Sequence, residues 1–226
     1  MHRILLAIGG LLVGLLAALF IAPVFIDWNR YRGVLEEEAT RLLGREVRVG
    51  GRIGIQFLPT PSLSVQQIRL ADTQALVGTP LFRAQSVTMG LAIGPLFRGD
   101  VQVTHVEMRK PELTLVLDGK GGGNWSTFAD RKLQAVLAPS SIILDDVRFT
   151  EGVVAILERD GRERTRIERI AGHLSAADLE GPYRVAASFD YRGTVGEMKL
   201  GTARADADGA VRLKAAVTIP GARQTL

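Results

Sequence analysis

Few side chains in this sequence could do chemistry. There are three histidines, His2, His105 and His173, and no cysteine, which excludes thiolate metal sites, disulfides and cysteine nucleophiles. The histidines are far apart, and none belongs to an H-E-x-x-H pair, the spacing that sets two imidazoles on one helix face around zinc. His105 lies between Thr104 and Val106 and reads as a polar residue at a kink in a strand; His173 follows Gly172 and reads as a turn residue. Asp145 and Asp146 are adjacent carboxylates, which on a strand point to opposite faces and offer only two ligands to a cation that needs six or more oxygens.

The glycine-rich and charged stretches fare no better. Gly94–Asp100, "GPLFRGD", has the two-glycine spacing of a phosphate loop but Asp where that loop needs Lys followed by Ser or Thr. Asp118–Trp125, "DGKGGGNW", lacks the G-x-G-x-x-G spacing and reads as a hairpin loop. In Glu158–Arg169, "ERDGRERTRIER", five arginines alternate with four acidic residues around Asp160-Gly161, the pattern of a solvated charged hairpin. There is no G-x-S-x-G elbow. The residues point to no enzyme, no cofactor and no metal.

Composition points elsewhere. The chain has 226 residues, 46% of them apolar, and a net charge of only +4 from 28 basic and 24 acidic residues. Those charges interleave, so nucleic acid is not an expected partner. From Ile4 to Ile26 no side chain is polar or charged; as a helix this run would be about 35 Å long, against roughly 30 Å of bilayer hydrocarbon. A membrane anchor is expected there, marked by Ile4, Leu12, Leu16, Phe20 and Ile26. A cleaved signal peptide would have a shorter apolar run and a small-x-small site, whereas here Pro23 follows Ala22. Gly10 and Gly14 have the spacing that lets two spanning helices pack closely, so self-association is open. The arginines at 30, 32, 41 and 45 would by count keep the C-terminal side cytoplasmic, although long domains translocate largely regardless of such charges.

After the anchor, Asp27–Leu43 carries Tyr31, Val34, Leu35, Ala39, Leu42 and Leu43 at helical spacing, with Asp27 or Asn29 as cap and Gly44 as stop. This amphipathic helix is expected to pack on a sheet. From Val47 the apolar period becomes two, which predicts one-face-apolar, antiparallel strands. Three of them share a template: Leu63-x-Val65-x-x-Ile68-x-Leu70, Val101-x-Val103-x-x-Val106-x-Met108 and Ile142-x-Leu144-x-x-Val147-x-Phe149. The alternation slips by one residue at the same place in each, as a bulge or kink would require to keep both halves on one face. Pro-Leu-Phe-Arg occurs at 80–83 and 95–98, bracketing one strand as punctuation.

The stretch from Asp27 to Trp125 resembles the N-terminal region of the AsmA family. The likeness rests on ordered pieces: Gly44-Arg45 after the helix, Phe57-Leu58-Pro59, the Pro-Leu-Phe-Arg-Gly turn, Lys110-Pro111, Asp118-Gly119, Asn124-Trp125 and, more weakly, Gly181-Pro182-Tyr183. The resemblance implies a cell inner-membrane protein with a single N-terminal span, a β-rich body in the periplasm and a role in envelope assembly, related to bridge-like lipid-transfer proteins with an apolar groove.

The expected architecture is mainly β with an N-terminal transmembrane helix: anchor 1–26, amphipathic helix 27–44, a first β-repeat region 45–127, a helical linker 128–139 and a second β-repeat region 140–226. Eleven or twelve bent antiparallel strands would form a curved sheet or groove. Its expected lipid-facing residues are Val65, Ile68, Val87, Met89, Leu91, Val103, Val106, Leu113, Leu115, Leu117, Leu144 and Val147. Membrane lipids, phospholipid above all, are the expected partners, with envelope proteins as further ones. A protein-binding scaffold with a closed core is the alternative.

Overall fold

The structure, a computed structural model, describes residues 9–11, 14, 27–56, 60–72, 78–96, 102–119, 122–125, 144–176, 182–203 and 213–219. Of the expected anchor, only residues 9–11 and 14 are among these; they are helical, with Leu11 75% exposed. Ile4, Leu12, Leu16, Phe20 and Ile26 lie outside the described residues, as does the expected helix over 128–137. No helix among the described residues is long and apolar enough to cross a membrane.

The chain enters through a 3₁₀ turn, Trp28–Tyr31, whose cap is Asp27: its carboxylate accepts from the Asn29 amide at 3.1 Å. Helix α1 (Arg32–Leu43) follows and stops at Gly44, which takes the left-handed φ of 62° that a residue without Cβ adopts at least cost. Eleven strands then form one sheet: β1 (Val47–Val49), β2 (Ile53–Gln56), β3 (Ser62–Leu70), β4 (Phe82–Leu91), β5 (Val103–Arg109), β6 (Glu112–Val116), β7 (Leu144–Leu157), β8 (Glu163–Ala176), β9 (Tyr183–Tyr191), β10 (Thr194–Thr202) and β11 (Leu213–Thr218). The order is β1-β3-β4-β5-β7-β8-β9-β10-β11; β2 also pairs with β3, and β6 with β4 and β7.

The sheet is mixed, which corrects the all-antiparallel expectation. β5 and β6 are one strand direction interrupted at Lys110-Pro111, where Pro supplies no ladder donor. The chain then runs through residues 117–143 before β7, so β7 lies parallel to both. A parallel pair needs a crossover of a dozen residues or more, and this segment is long enough. His173 is a second correction: it sits inside β8, paired between Arg148 and Ala186, because the strand continues through Gly172.

The three repeat slips are real irregularities. In β5, Val103 pairs with Leu91 while His105 pairs with the adjacent Gly90, leaving Thr104 as the extra residue. In β7, Leu144 to Val147 is matched by only Ala176 to Leu174 on β8. In β3 the slip falls at Gln67, which has a φ of 53°; β2 pairs with the half before it and β1 with the half after it. Lys110, Glu151 and Arg169 are also left-handed, at φ 48°, 56° and 49°. These four kinks share one level across β3 to β8. Gln67 faces the Ala84–Ser86 stretch of β4, which faces Lys110-Pro111. Lys110 donates its amide to Thr150, beside Glu151, and Gly152 pairs with Ile170, beside Arg169.

The core lies where α1 meets the first strands. Val49, Ile53 and Val65 are buried against Trp28, Leu35, Leu63 and Ile68. Val47, Leu70 and Leu81 are buried against Ala39, Leu43, Phe82, Leu113 and Leu115. Val65 and Ile68 thus reach the same core from either side of the Gln67 kink, the result that the change of phase requires. Tyr31 and Val34 face outward, 56% and 66% exposed, so only part of the expected apolar stripe is used. The two Pro-Leu-Phe-Arg copies are not equivalent. The first buries Leu81 completely and starts β4 at Phe82, whereas Pro95 and Leu96 of the second lie in a helical turn, α2 (Ile93–Leu96). Phe97 and Arg98 fall outside the described residues.

Candidate functional site

Pairing register turns the one-strand alternation into continuous rows. Ile55, Leu63, Met89, Val106, Val147, Leu174, Val185, Leu200 and Ala215 are directly opposite one another from β2 to β11. Two residues along lies a second row: Ile53, Val65, Val87, Met108, Phe149, Gly172, Ala187, Met198 and Val217. Side chains two apart share a face and direct partners share it too, so eighteen positions without a polar side chain form one face. The row between them belongs to the other face and carries Ser64, Thr88, Glu107, Arg148, His173 and Lys199.

The register brings together Val65, Val87, Met89, Val106 and Val147 of the expected lipid-facing residues, and Leu91 pairs with Val103 at the next level. Leu144 pairs in backbone register with Ala176. Ile68, Leu113 and Leu115 belong instead to the core under α1, and Leu117 ends the stretch after β6 in a bridge to Gly123. Val65 is 2% exposed beneath Trp28 and Leu35, whereas Val87, Met89, Val106, Leu174, Val185 and Leu200 are half-buried. Leu174, Val185, Met198 and Leu200 belong to the face but were missed in sequence. Only the pairing aligns them with the repeats.

A buried polar cluster supports this face from the side. Arg45 and Asp72, with side chains 2% and 4% exposed, approach to 3.8 Å. Asn124, fully buried, donates from Nδ2 to Asp72 Oδ2 and to the Thr114 carbonyl, both at 3.0 Å. Its Oδ1 accepts from the Val116 amide at 3.0 Å, and its carbonyl accepts from Arg45 at 2.8 Å. Burial pushes the pKa of the Arg45 guanidinium down and Asp72 pushes it back up; with its donors engaged, the guanidinium remains a cation. This cluster ties the end of α1 to the ends of β3 and β6. The sequence showed Arg45 and Asn124 only as pieces of a resemblance, because partners 79 residues apart have no local signal.

The hairpin arginines are spent on one another's neighbours. Arg162 pairs with Asp160, Arg164 with Glu158, and Arg166 with Glu163 and Glu168. His105 packs at the β5 bulge, its Nδ1 3.2 Å from Thr104 Oγ1 and its ring against Gly90, where a Cβ would have no room. Among the described residues no three acidic or histidine side chains converge as a metal site would need.

The sequence over residues 1–211 matches the model of the AsmA family. It is also 24% identical over 171 residues to AsmA family protein YhjG of Escherichia coli strain K12, an alignment covering 68% of this chain and 25% of that protein. The chain therefore spans about a quarter of the length of that curated relative. With a family match that takes in the helix, the kinked strands and the buried Arg45–Asp72–Asn124 cluster, the chain belongs to the AsmA family.

Proposed function

We propose that this chain is a non-catalytic envelope-biogenesis protein that holds phospholipid acyl chains along its apolar sheet face from β4 to β10. Family membership supports the envelope role. The observation that carries the lipid reading is the pair of unbroken apolar rows, in which Val87, Met89, Val106, Leu174, Val185 and Leu200 are half-buried beyond β3 while Val147 and Ala187 are buried. The six strands from β4 to β10 in the pairing order, at about 4.8 Å, give a strip of roughly 25 Å, longer than the roughly 15 Å that one leaflet's acyl chains span. A contiguous apolar face of that extent marks an interaction site, and covering it gains about 25 cal/mol per Å². In this reading the run Ile4–Ile26 anchors the chain in the inner membrane with the body in the periplasm. A protein-binding scaffold is the second reading, favoured by the bare edge strand β11, every residue of which is exposed.

Native mass spectrometry of the full chain extracted in neutral detergent tests the lipid reading. Phospholipid retained by the wild type and lost from Leu174→Asp/Leu200→Asp, with a cooperative melt retained and only modestly lowered, is the expected result. A lipid-free wild type, or retention indifferent to the two carboxylates, would overturn it.

A further inference from the structure

The opposite face of the same strands has a different chemistry. His173 on β8 and Lys199 on β10 lie in one cross-strand row with Ala186 between them. Two residues along, Arg184 on β9 and Lys214 on β11 lie in the next row with Gly201 between them. The small residues form the floor of a shallow depression of about 530 Å³, lined by these four basic residues together with Ala186, Gly201 and Ala216, and at its margin by Val185, Leu200 and Ala215 of the alternate, apolar phase. None of the four makes a salt bridge among the described residues, in contrast to the arginines of the β7–β8 hairpin. Arg148, the next cation along the row, is held by Asp146, and Glu197, two residues before Lys199, is the acid at the margin.

We infer that this face of β8–β11 docks on a phosphate-rich anionic bilayer surface. Basic side chains two strands apart are separated by about 10 Å and successive rows by about 7 Å, a spread-out array that meets many separate anions instead of converging on one. Single-stranded nucleic acid would need aromatic platforms among the cations. Tyr183, Phe189 and Tyr191 alternate in phase with Val185 and Ala187, so they belong to the apolar side. The inference does not depend on what the apolar face holds.

The patch has two reporter lysines, Lys199 and Lys214, and Lys110, away from it at an ion pair with Glu151, is the control. Full chain held in nanodiscs of neutral phosphatidylcholine is mixed with vesicles of phosphatidylcholine alone or with 30 mol % phosphatidylglycerol. Lysine acetylation by a water-soluble reagent is then read by peptide mass spectrometry. Anionic vesicles should protect Lys199 and Lys214 at least fivefold, 0.5 M NaCl should abolish the protection, and Lys110 should be unaffected. Co-flotation with the anionic vesicles should fall on the order of a hundredfold in Arg184→Gln/Lys199→Gln/Lys214→Gln, at about fivefold per charge near such a surface, with the melt retained. Equal labelling with both vesicle types, salt-independent protection, or a triple variant that floats like the wild type would overturn the inference. Retention on polyaspartate without binding to the vesicles would reassign the patch to an acidic polypeptide and overturn it equally.

Discussion

The two edges of the sheet share an alternation and differ in everything that covers it. At the first edge, α1 lies on the apolar face, and side chains of α1 and of the 3₁₀ turn before it also take the place of a further strand. Thr40 Oγ1 accepts from the Val47 amide at 3.0 Å, Glu36 from Val49 at 2.6 Å and Asn29 from Ile53 at 3.2 Å. The outward amides of β1 and β2 are thereby satisfied and the edge is closed to pairing. At the other edge β11 is exposed throughout, Leu213 and Val217 at 60% and 56%. The hydrophobic residues buried in β8–β11 are only two alanines, Ala176 and Ala187, among the described residues. Period-two alternation thus specifies a face but not its cover. The cover at the first edge comes from a helix whose polar residues are as necessary as its apolar ones.

The sharpest way to break the covered end is to remove Arg45. Arg45→Ala leaves Asp72 buried without its cation and should cost about 3–5 kcal/mol, read as a large drop in the chemical-denaturation midpoint. A melt within error of wild type would mean that the cluster is not a clasp. The contrast itself is tested by putting the same carboxylate at each end. Val65→Asp, under α1, should cost about 3–4 kcal/mol because the new group has no partner and no water. Leu200→Asp, on the half-open face, should cost about 1 kcal/mol; equal costs would show that both ends are covered alike.

Asp27 gives the smallest effect. Hydrogen bonds from the Asn29 side chain and amide hold its carboxyl below the ordinary value of 3.8. Its contribution is therefore present above that value and lost as pH falls through the lower folded value. Asp27→Ala should lower the melting temperature slightly at pH 7 and converge with wild type in strong acid; a gap that persists there would assign the effect to something other than the charge.

Much of this arrangement was legible in the sequence because it is written in local period. The switch from helical to alternating spacing at Val47, the stop at Gly44 and the three phase slips each depend on residues within a few positions of one another. Pairing does not. Nothing local says that Leu174 stands opposite Val147, that β7 runs parallel to β5, or that His173, read as a turn residue after Gly172, lies mid-strand among lysines. The Arg45–Asp72–Asn124 cluster has no local signal for the same reason, since its members are satisfied by groups tens of residues away. Four of the five arginines of Glu158–Arg169, a charge run in the sequence, are held in ion pairs; the four scattered basic residues that converge are separated by 11 to 41 residues of sequence.

If the apolar face beyond α1 holds lipid chains, two neighbouring residues of β9 must differ in what they meet. Val185 and Ala186 are consecutive and project to opposite faces. A benzophenone amino acid placed at either position in the full chain, irradiated in membranes and analysed by mass spectrometry, reports which face meets acyl carbon. Capture on acyl chains at 185 and none at 186 is expected. Equal capture at both positions, or capture at 186 alone, would contradict it.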